Sequence, residues 1–203
     1  VNEEILDSFI KSTKEYIGNP NSLHELGIKS NNIIESATNQ IANLLGVNKN
    51  EIIYTSGASE SNNLAIKGIC EKYKNRGKHI ITTELEHSSI YGPISYLQKQ
   101  GFDVDFVKTL DNGKVDLEHL KSLIRDDTIL VSITAVNSEI GIIEPIEEIG
   151  KLLREYPKIF YHVDMTQSIG KMKINLKDID LASFSAHKFF GVKGIGVLVK
   201  KEN

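Results

Sequence analysis

The 203-residue chain has one cysteine, Cys70, two methionines, four prolines and no tryptophan. A single cysteine cannot build an internal disulfide framework or a multi-cysteine zinc site. No apolar run is long enough to span a bilayer. The opening residues, 1–17, are acidic and amphipathic rather than a signal peptide. Excess positive charge is also missing: the formal net charge is −3 and the pI about 6.1, so there is no basic footprint for nucleic acid. Internal repeats, low-complexity tracts and Pro/Gly/Ser-rich linkers are absent. What is present, 40% hydrophobic and 25% charged residues, suits a soluble globular protein with one full core. A cytoplasmic metabolic protein fits, as do many others. The chain lacks an initiator Met, enters a helical pattern at residue 1 and ends on the strand-like Val197-Leu198-Val199-Lys200-Lys201. Those edges suggest a domain cut from a longer product.

Helical and strand patterns alternate from about residue 30. Ser30–Leu45 carries an apolar stripe through Ile33, Ile34, Ala37, Ile41, Leu44 and Leu45, stopped by Gly46. Strands are expected over 51–55, 79–83, 102–107, 129–134, 159–163, 181–185 and 195–200. Helices are expected through Leu64–Ile69 and over 89–100, 117–123 and 145–155. The near-continuous apolar run 129–134 reads as a strand buried on both faces. Strands separated by helices imply an α/β fold with a mostly parallel sheet covered on both sides, which gathers functional residues at the strands' carboxyl ends.

Four polar segments fall at such ends. In Tyr54-Thr55-Ser56-Gly57-Ala58-Ser59-Glu60 a strand gives way to a small-residue turn and a helix, so backbone N–H groups point outward as an anion cradle; an ordinary helix N-cap reads equally well. In Tyr161-His162-Val163-Asp164-Met165-Thr166-Gln167 an apolar strand ends in an aspartate that needs a cationic partner once buried. His162 and Asp164 would share one strand face, so a metal site is the competing reading. In Ser185-Ala186-His187-Lys188-Phe189-Phe190-Gly191 a lysine follows a strand among aromatic and glycine residues. Desolvation there would make its amine a usable nucleophile, whereas Lys193, Lys200 and Lys201 look solvated. In Thr83-Glu84-Leu85-Glu86-His87-Ser88 a histidine just past a strand could lie flat on an aromatic ligand, or merely join the serines in capping a helix. Cys70 reads as a small buried hydrophobe on a helix interior.

Together and in order, these segments resemble the NifS/IscS-like cysteine desulfurases of the fold-type-I pyridoxal-phosphate (PLP) superfamily. The resemblance also runs through Gly18-Asn-Pro-Asn-Ser-Leu-His24 and Val136-Asn-Ser-Glu-Ile-Gly141. It implies a three-layer α/β/α PLP-transferase large domain with a mixed sheet of about seven strands. That domain would fill 1–203, with N-terminal helices within 1–45 packing on it and a smaller C-terminal domain lying outside the chain. Lys188 would hold PLP covalently, Asp164 would pair with the pyridinium nitrogen, and Gln167 would bond the ring's phenolic oxygen. His87 would stack on the ring and handle protons. Ala58, Ser59, Ser185 and His187 would hold the phosphate. The implied reaction converts L-cysteine to L-alanine plus an enzyme-bound persulfide, in a homodimer that passes sulfur to an acceptor protein. Iron–sulfur assembly, tRNA thiolation and cofactor synthesis all stay open as destinations. Two residues depart from the family pattern: Ser138 replaces an asparagine that contacts the ring, and Ser59 replaces a threonine. The family's sulfur-accepting cysteine and substrate-carboxylate arginine would lie beyond this chain, and Cys70 does not replace that cysteine. Rivals are a selenocysteine lyase, an aminotransferase, or a non-catalytic partner-binding protein of the same fold.

Overall fold

The computed structural model describes residues 1–202. In chain order its helices are α1 (Glu3–Glu15), α2 (Glu25–Leu45), α3 (Ala58–Tyr73), α4 (Ser88–Lys99), α5 (Leu117–Leu123) and α6 (Ile146–Leu153). Its strands are β1 (Ile52–Thr55), β2 (His79–Thr83), β3 (Asp103–Val107), β4 (Thr128–Thr134), β5 (Phe160–Asp164), β6 (Leu181–Ser185) and β7 (Gly196–Lys200). All seven join one sheet in the order β1-β7-β6-β5-β4-β2-β3. The pairs from β3 across to β6 are parallel, whereas β7 runs antiparallel to both β6 and β1.

Side-chain alternation sorts the core onto two faces. Ile81, Val131, Val163, Ala182 and Val199 pack beneath α5 and α6 against Leu120, Ile149 and Leu153. Their strand neighbours Ile80 and Leu130 pack beneath α3 and α4 with Ile66, Cys70, Ile94 and Leu97. Every residue of β2, β4 and β6 is buried, which explains why those segments read as continuous apolar or small-residue runs. The expected three-layer α/β/α architecture with a mixed, mostly parallel sheet is the one observed.

Because β7 reverses direction, β1 again runs parallel to β6. The carboxyl ends of β1, β2, β4, β5 and β6 therefore share one edge: Thr55, Thr83, Thr134, Asp164 and Ser185. Gly196 pairs with both Thr55 and Ser185 at that edge. A Cβ on Gly196 would stand 2.6 Å from the Gly57 Cα, so a side chain there would push the start of α3 away from the sheet.

The N-terminal region departs most from expectation. α2 starts five residues earlier than the apolar stripe suggested, because His24 caps it: its Nδ1 accepts from the Gly27 N–H at 3.2 Å. Gly46 ends the helix in the left-handed conformation (φ 67°). The end of α2 packs on the core through Ile41, Ala42 and Leu45. By contrast, α1 buries none of its residues, and Ile5, Leu6, Phe9 and Ile10 are exposed; its cap residue Asn2 donates its N–H to Phe190 O at 3.0 Å.

Candidate active site

The shared strand edge opens into a cavity of about 480 Å³. Its lining includes Ala58, Ser59, His87, Ser138, Asp164, Gln167, Ser185, His187 and Lys188, the residues that the resemblance assigned to the cofactor. Thr166 and Lys193 line it too.

One wall is the start of α3. The first-turn N–H groups of any helix lack intrahelical acceptors, and here they meet the end of β6. Ala58 N–H donates to Ser185 Oγ at 2.6 Å. The approach of β6 to α3 thus brings Ala58 and Ser185, both assigned to the phosphate by the resemblance, into direct contact. Ser59, one residue on, is exposed and lines the cavity. Ser185 Oγ, acting as acceptor here, still has a hydrogen to give. Glu60 turns back onto the strand end, where Ser56 N–H at 2.6 Å holds its carboxyl below the usual range.

The floor is Asp164, the last residue of β5 and only 4% exposed. Its Oδ1 accepts from Thr166 N–H and its Oδ2 from Asn62 Nδ2, each at 2.9 Å. Neither donor carries charge, so the carboxylate is buried without a cation among these partners. Two residues back, His162 is fully buried. Its ring nitrogens each lie 2.9 Å from a serine hydroxyl, those of Ser132 and Ser183, and burial pushes its pKa down to about 4. A neutral ring with both nitrogens engaged has no lone pair to offer a metal, and no group of three potential metal ligands occurs among the described residues. The metal reading of His162 and Asp164 is set aside on those contacts.

Lys188 sits on a 3₁₀ turn (Ala186–Phe189) just past β6. The amine was expected in desolvated surroundings, but the side chain is exposed. Phe189 turns inward to the core beside Phe184, and Phe190 turns out to solvent, so neither ring covers the lysine. Lys193, read from the sequence as merely solvated, is exposed but reaches the same cavity.

His87 takes the capping role, and it also faces the cavity. It is the N-cap of α4, its Nδ1 accepting from Ser89 N–H at 3.1 Å, and it lines the cavity. Ser138 is exposed on the loop after β4, whereas its neighbour Asn137 is buried. Asn137 Oδ1 accepts from the N–H groups of Glu139 and Ile140, and its Nδ2 donates to Leu85 O at 2.7 Å. It thereby fixes the loop that carries His87.

Sequence reading gave no role to three further residues. Glu86 is buried, and its Oε1 accepts from Thr83 Oγ1 and Thr134 N–H, both at 2.9 Å. It staples the carboxyl ends of β2 and β4. Burial pushes its pKa up to about 8, against those two hydrogen bonds. Asn62, fully buried on α3, joins Asp164 to Ser89. Thr166 Oγ1 is buried without a partner at the cavity wall. A charged residue directly before a strand-end histidine was the one available signal, for Glu86; the other two became visible only once α3 lay over β5.

A helix start, a buried aspartate and a lysine at the carboxyl edge of a mixed sheet define the class, and the comparisons agree. The chain belongs to the aminotransferase class-V family, whose model matches residues 1–203; its members depend on PLP. Among curated relatives it is 51% identical over 177 residues to cysteine desulfurase IscS of Buchnera aphidicola subsp. Acyrthosiphon pisum (strain 5A), covering 86% of this chain and 44% of that protein. It is 43% identical over 198 residues to cysteine desulfurase IscS of Dictyoglomus turgidum, covering 97% and 50%. A solved structure of a NifS-like protein superposes with a TM-score of 0.96 at 40% identity, covering 100% of this chain and 57% of that one. Another, described as SspA in complex with cysteine, gives 0.93 at 38%, covering 98% and 58%. The chain spans about half the length of the curated relatives it matches.

Proposed function

We propose that this chain is the PLP-binding domain of a cysteine desulfurase, acting on L-cysteine to give L-alanine and persulfide sulfur. The observation that carries the reading is the cavity in which a buried, uncompensated carboxylate (Asp164), an amine (Lys188) and a helix start (Ser59) converge. That donor set fits a phosphorylated pyridine aldehyde: anion donors at one end, a carboxylate for a protonated ring nitrogen at the floor, and an amine for the aldehyde. When bound, PLP supplies the aldehyde that captures an amine and the ring that withdraws electrons from it.

The chain's own residues then have distinct tasks. Ser59 N–H and hydroxyl, Ser185 hydroxyl and His187 hold the phosphate. Asp164 keeps the ring nitrogen protonated, because a buried carboxylate is stabilised by a cation against it. Gln167, half-buried beside Thr166, offers its amide to the ring's oxygen. His87 would present its ring face, and Lys188 Nζ would be the amine that holds the aldehyde and carries a proton beside it. Ser138, exposed and with only a hydroxyl, replaces a longer amide on the same side. Homodimerisation, a sulfur-acceptor partner and a cytoplasmic setting complete the reading; the exposed apolar residues of α1 support a partner surface.

The product of the cofactor discriminates the reaction. The chain is loaded with PLP and incubated with a panel of amino acids, and the released cofactor is identified chromatographically. A desulfurase domain returns PLP unchanged. Conversion to pyridoxamine 5′-phosphate, stoichiometric with the chain, would overturn desulfurase in favour of aminotransferase.

A further inference from the structure

Asn62 connects Asp164 and His87, the residues proposed to meet the ring nitrogen and the ring face. Its Nδ2 lies 2.9 Å from Asp164 Oδ2 and 2.9 Å from Ser89 Oγ. Ser89 Oγ in turn lies 2.8 Å from His87 Nδ1. We propose that Asn62 is a positioning residue that links Asp164 to His87 through Ser89 and fixes which nitrogen of the His87 ring carries hydrogen.

The bond directions are set from the two ends, by the Asp164 carboxylate at one and by Ser89 N–H on His87 Nδ1 at the other. A carboxylate only accepts, so the amide must turn its NH₂ toward Asp164. The second hydrogen of that NH₂ goes to Ser89 Oγ, which is thereby an acceptor. The Ser89 hydroxyl hydrogen is then free to point at its remaining neighbour, His87 Nδ1. The Ser89 backbone N–H reaches the same nitrogen at 3.1 Å. Two donors converge on Nδ1, so in the neutral ring Nδ1 carries the lone pair and Nε2 carries the hydrogen. Asn62 Oδ1, buried with no partner, shows that the amide's orientation is set by its nitrogen alone. Flipping it would place an oxygen against the carboxylate.

This arrangement sharpens the part given to His87. With hydrogen on Nε2, the neutral ring is a hydrogen-bond donor at that atom, and its only lone pair, on Nδ1, already faces two donors. The consequence for catalysis rests on the function proposed above; the relay itself does not.

The test is ¹⁵N NMR of histidine-labelled chain without cofactor, the His87 signals being assigned from a His87→Gln spectrum. The expected result is hydrogen on Nε2 and an Nδ1 signal shifted upfield as a doubly hydrogen-bonded acceptor. Asn62→Leu, close in size but without the amide, and Ser89→Ala, without the hydroxyl, should each move Nδ1 downfield. Hydrogen on Nδ1 in the unsubstituted chain would overturn the proposal. So would an unchanged Nδ1 in folded Asn62→Leu. Should the leucine variant not fold, Ser89→Ala still decides, since an unchanged Nδ1 there removes the middle link. Failure to bind PLP would sink the proposed function while leaving this result standing.

Discussion

Substituting Glu86 with glutamine should flatten the chain's dependence on pH, so that the variant gains on the parent as pH rises. Glu86 has an ordinary pKa of 4.5 that is pushed up to about 8, chiefly by burial, with the Asp164 and Glu144 charges adding to the rise. Between those values the folded state holds a proton that the unfolded chain has released, so stability falls as pH rises through the window. At about 1.4 kcal/mol for each pH unit the full window is worth about 5 kcal/mol. Local relaxation and water entry reduce this to about 2–4 kcal/mol. Glutamine keeps an acceptor for Thr83 Oγ1 and Thr134 N–H and places an amide nitrogen where Oε2 has no partner. That nitrogen costs about 1–3 kcal/mol at every pH. His162 has the opposite slope, since burial holds it neutral and stability rises from about pH 4 to 6.5, but it is common to both proteins and cancels. Urea unfolding of both proteins at pH 5, 6.5 and 8 should show the variant gaining on the parent by about 2–4 kcal/mol from the lowest to the highest pH. Parallel curves across that range would refute the assignment of a protonated Glu86.

Further outcomes follow from the same geometry. Cys70 is fully buried, and burial, then the Glu71 charge, pushes its thiol up to about 12. Iodoacetamide should label it at least about 100-fold more slowly in the folded than in the urea-unfolded chain. Gly196→Ala should cost about 1–3 kcal/mol in urea unfolding through the clash with Gly57, and should weaken PLP binding by moving the α3 start. Asp164→Asn should weaken PLP binding by about 10- to 100-fold in a fluorescence titration, the worth of one charge-assisted hydrogen bond.

The fold was largely legible because the signals were local. Strand positions followed from the apolar runs of β2 and β4, and helix ends from Gly46 and Pro145. The start of α2 was missed because a histidine cap carries little signal, and an amphipathic stripe such as that of α1 announces a partner without naming it. At the site, residues at strand ends could be picked out from chain order alone. The engagement of Ala58 N–H by Ser185, 127 residues away in sequence, could not. Nor could the exposure of Lys188, which depends on Phe189 turning inward and Phe190 outward. Asn62 lies mid-helix among other polar residues and gained meaning only when α3 crossed the end of β5.

The central claim is that Lys188 is the amine that holds PLP, and Lys193 in the same cavity makes it a sharp question. Borohydride reduction of the PLP-loaded chain, followed by peptide mapping, tests it most directly. The account predicts one phosphopyridoxyl group per chain, on Lys188, and none in Lys188→Ala. Label on Lys193, or unchanged labelling of Lys188→Ala, would contradict it.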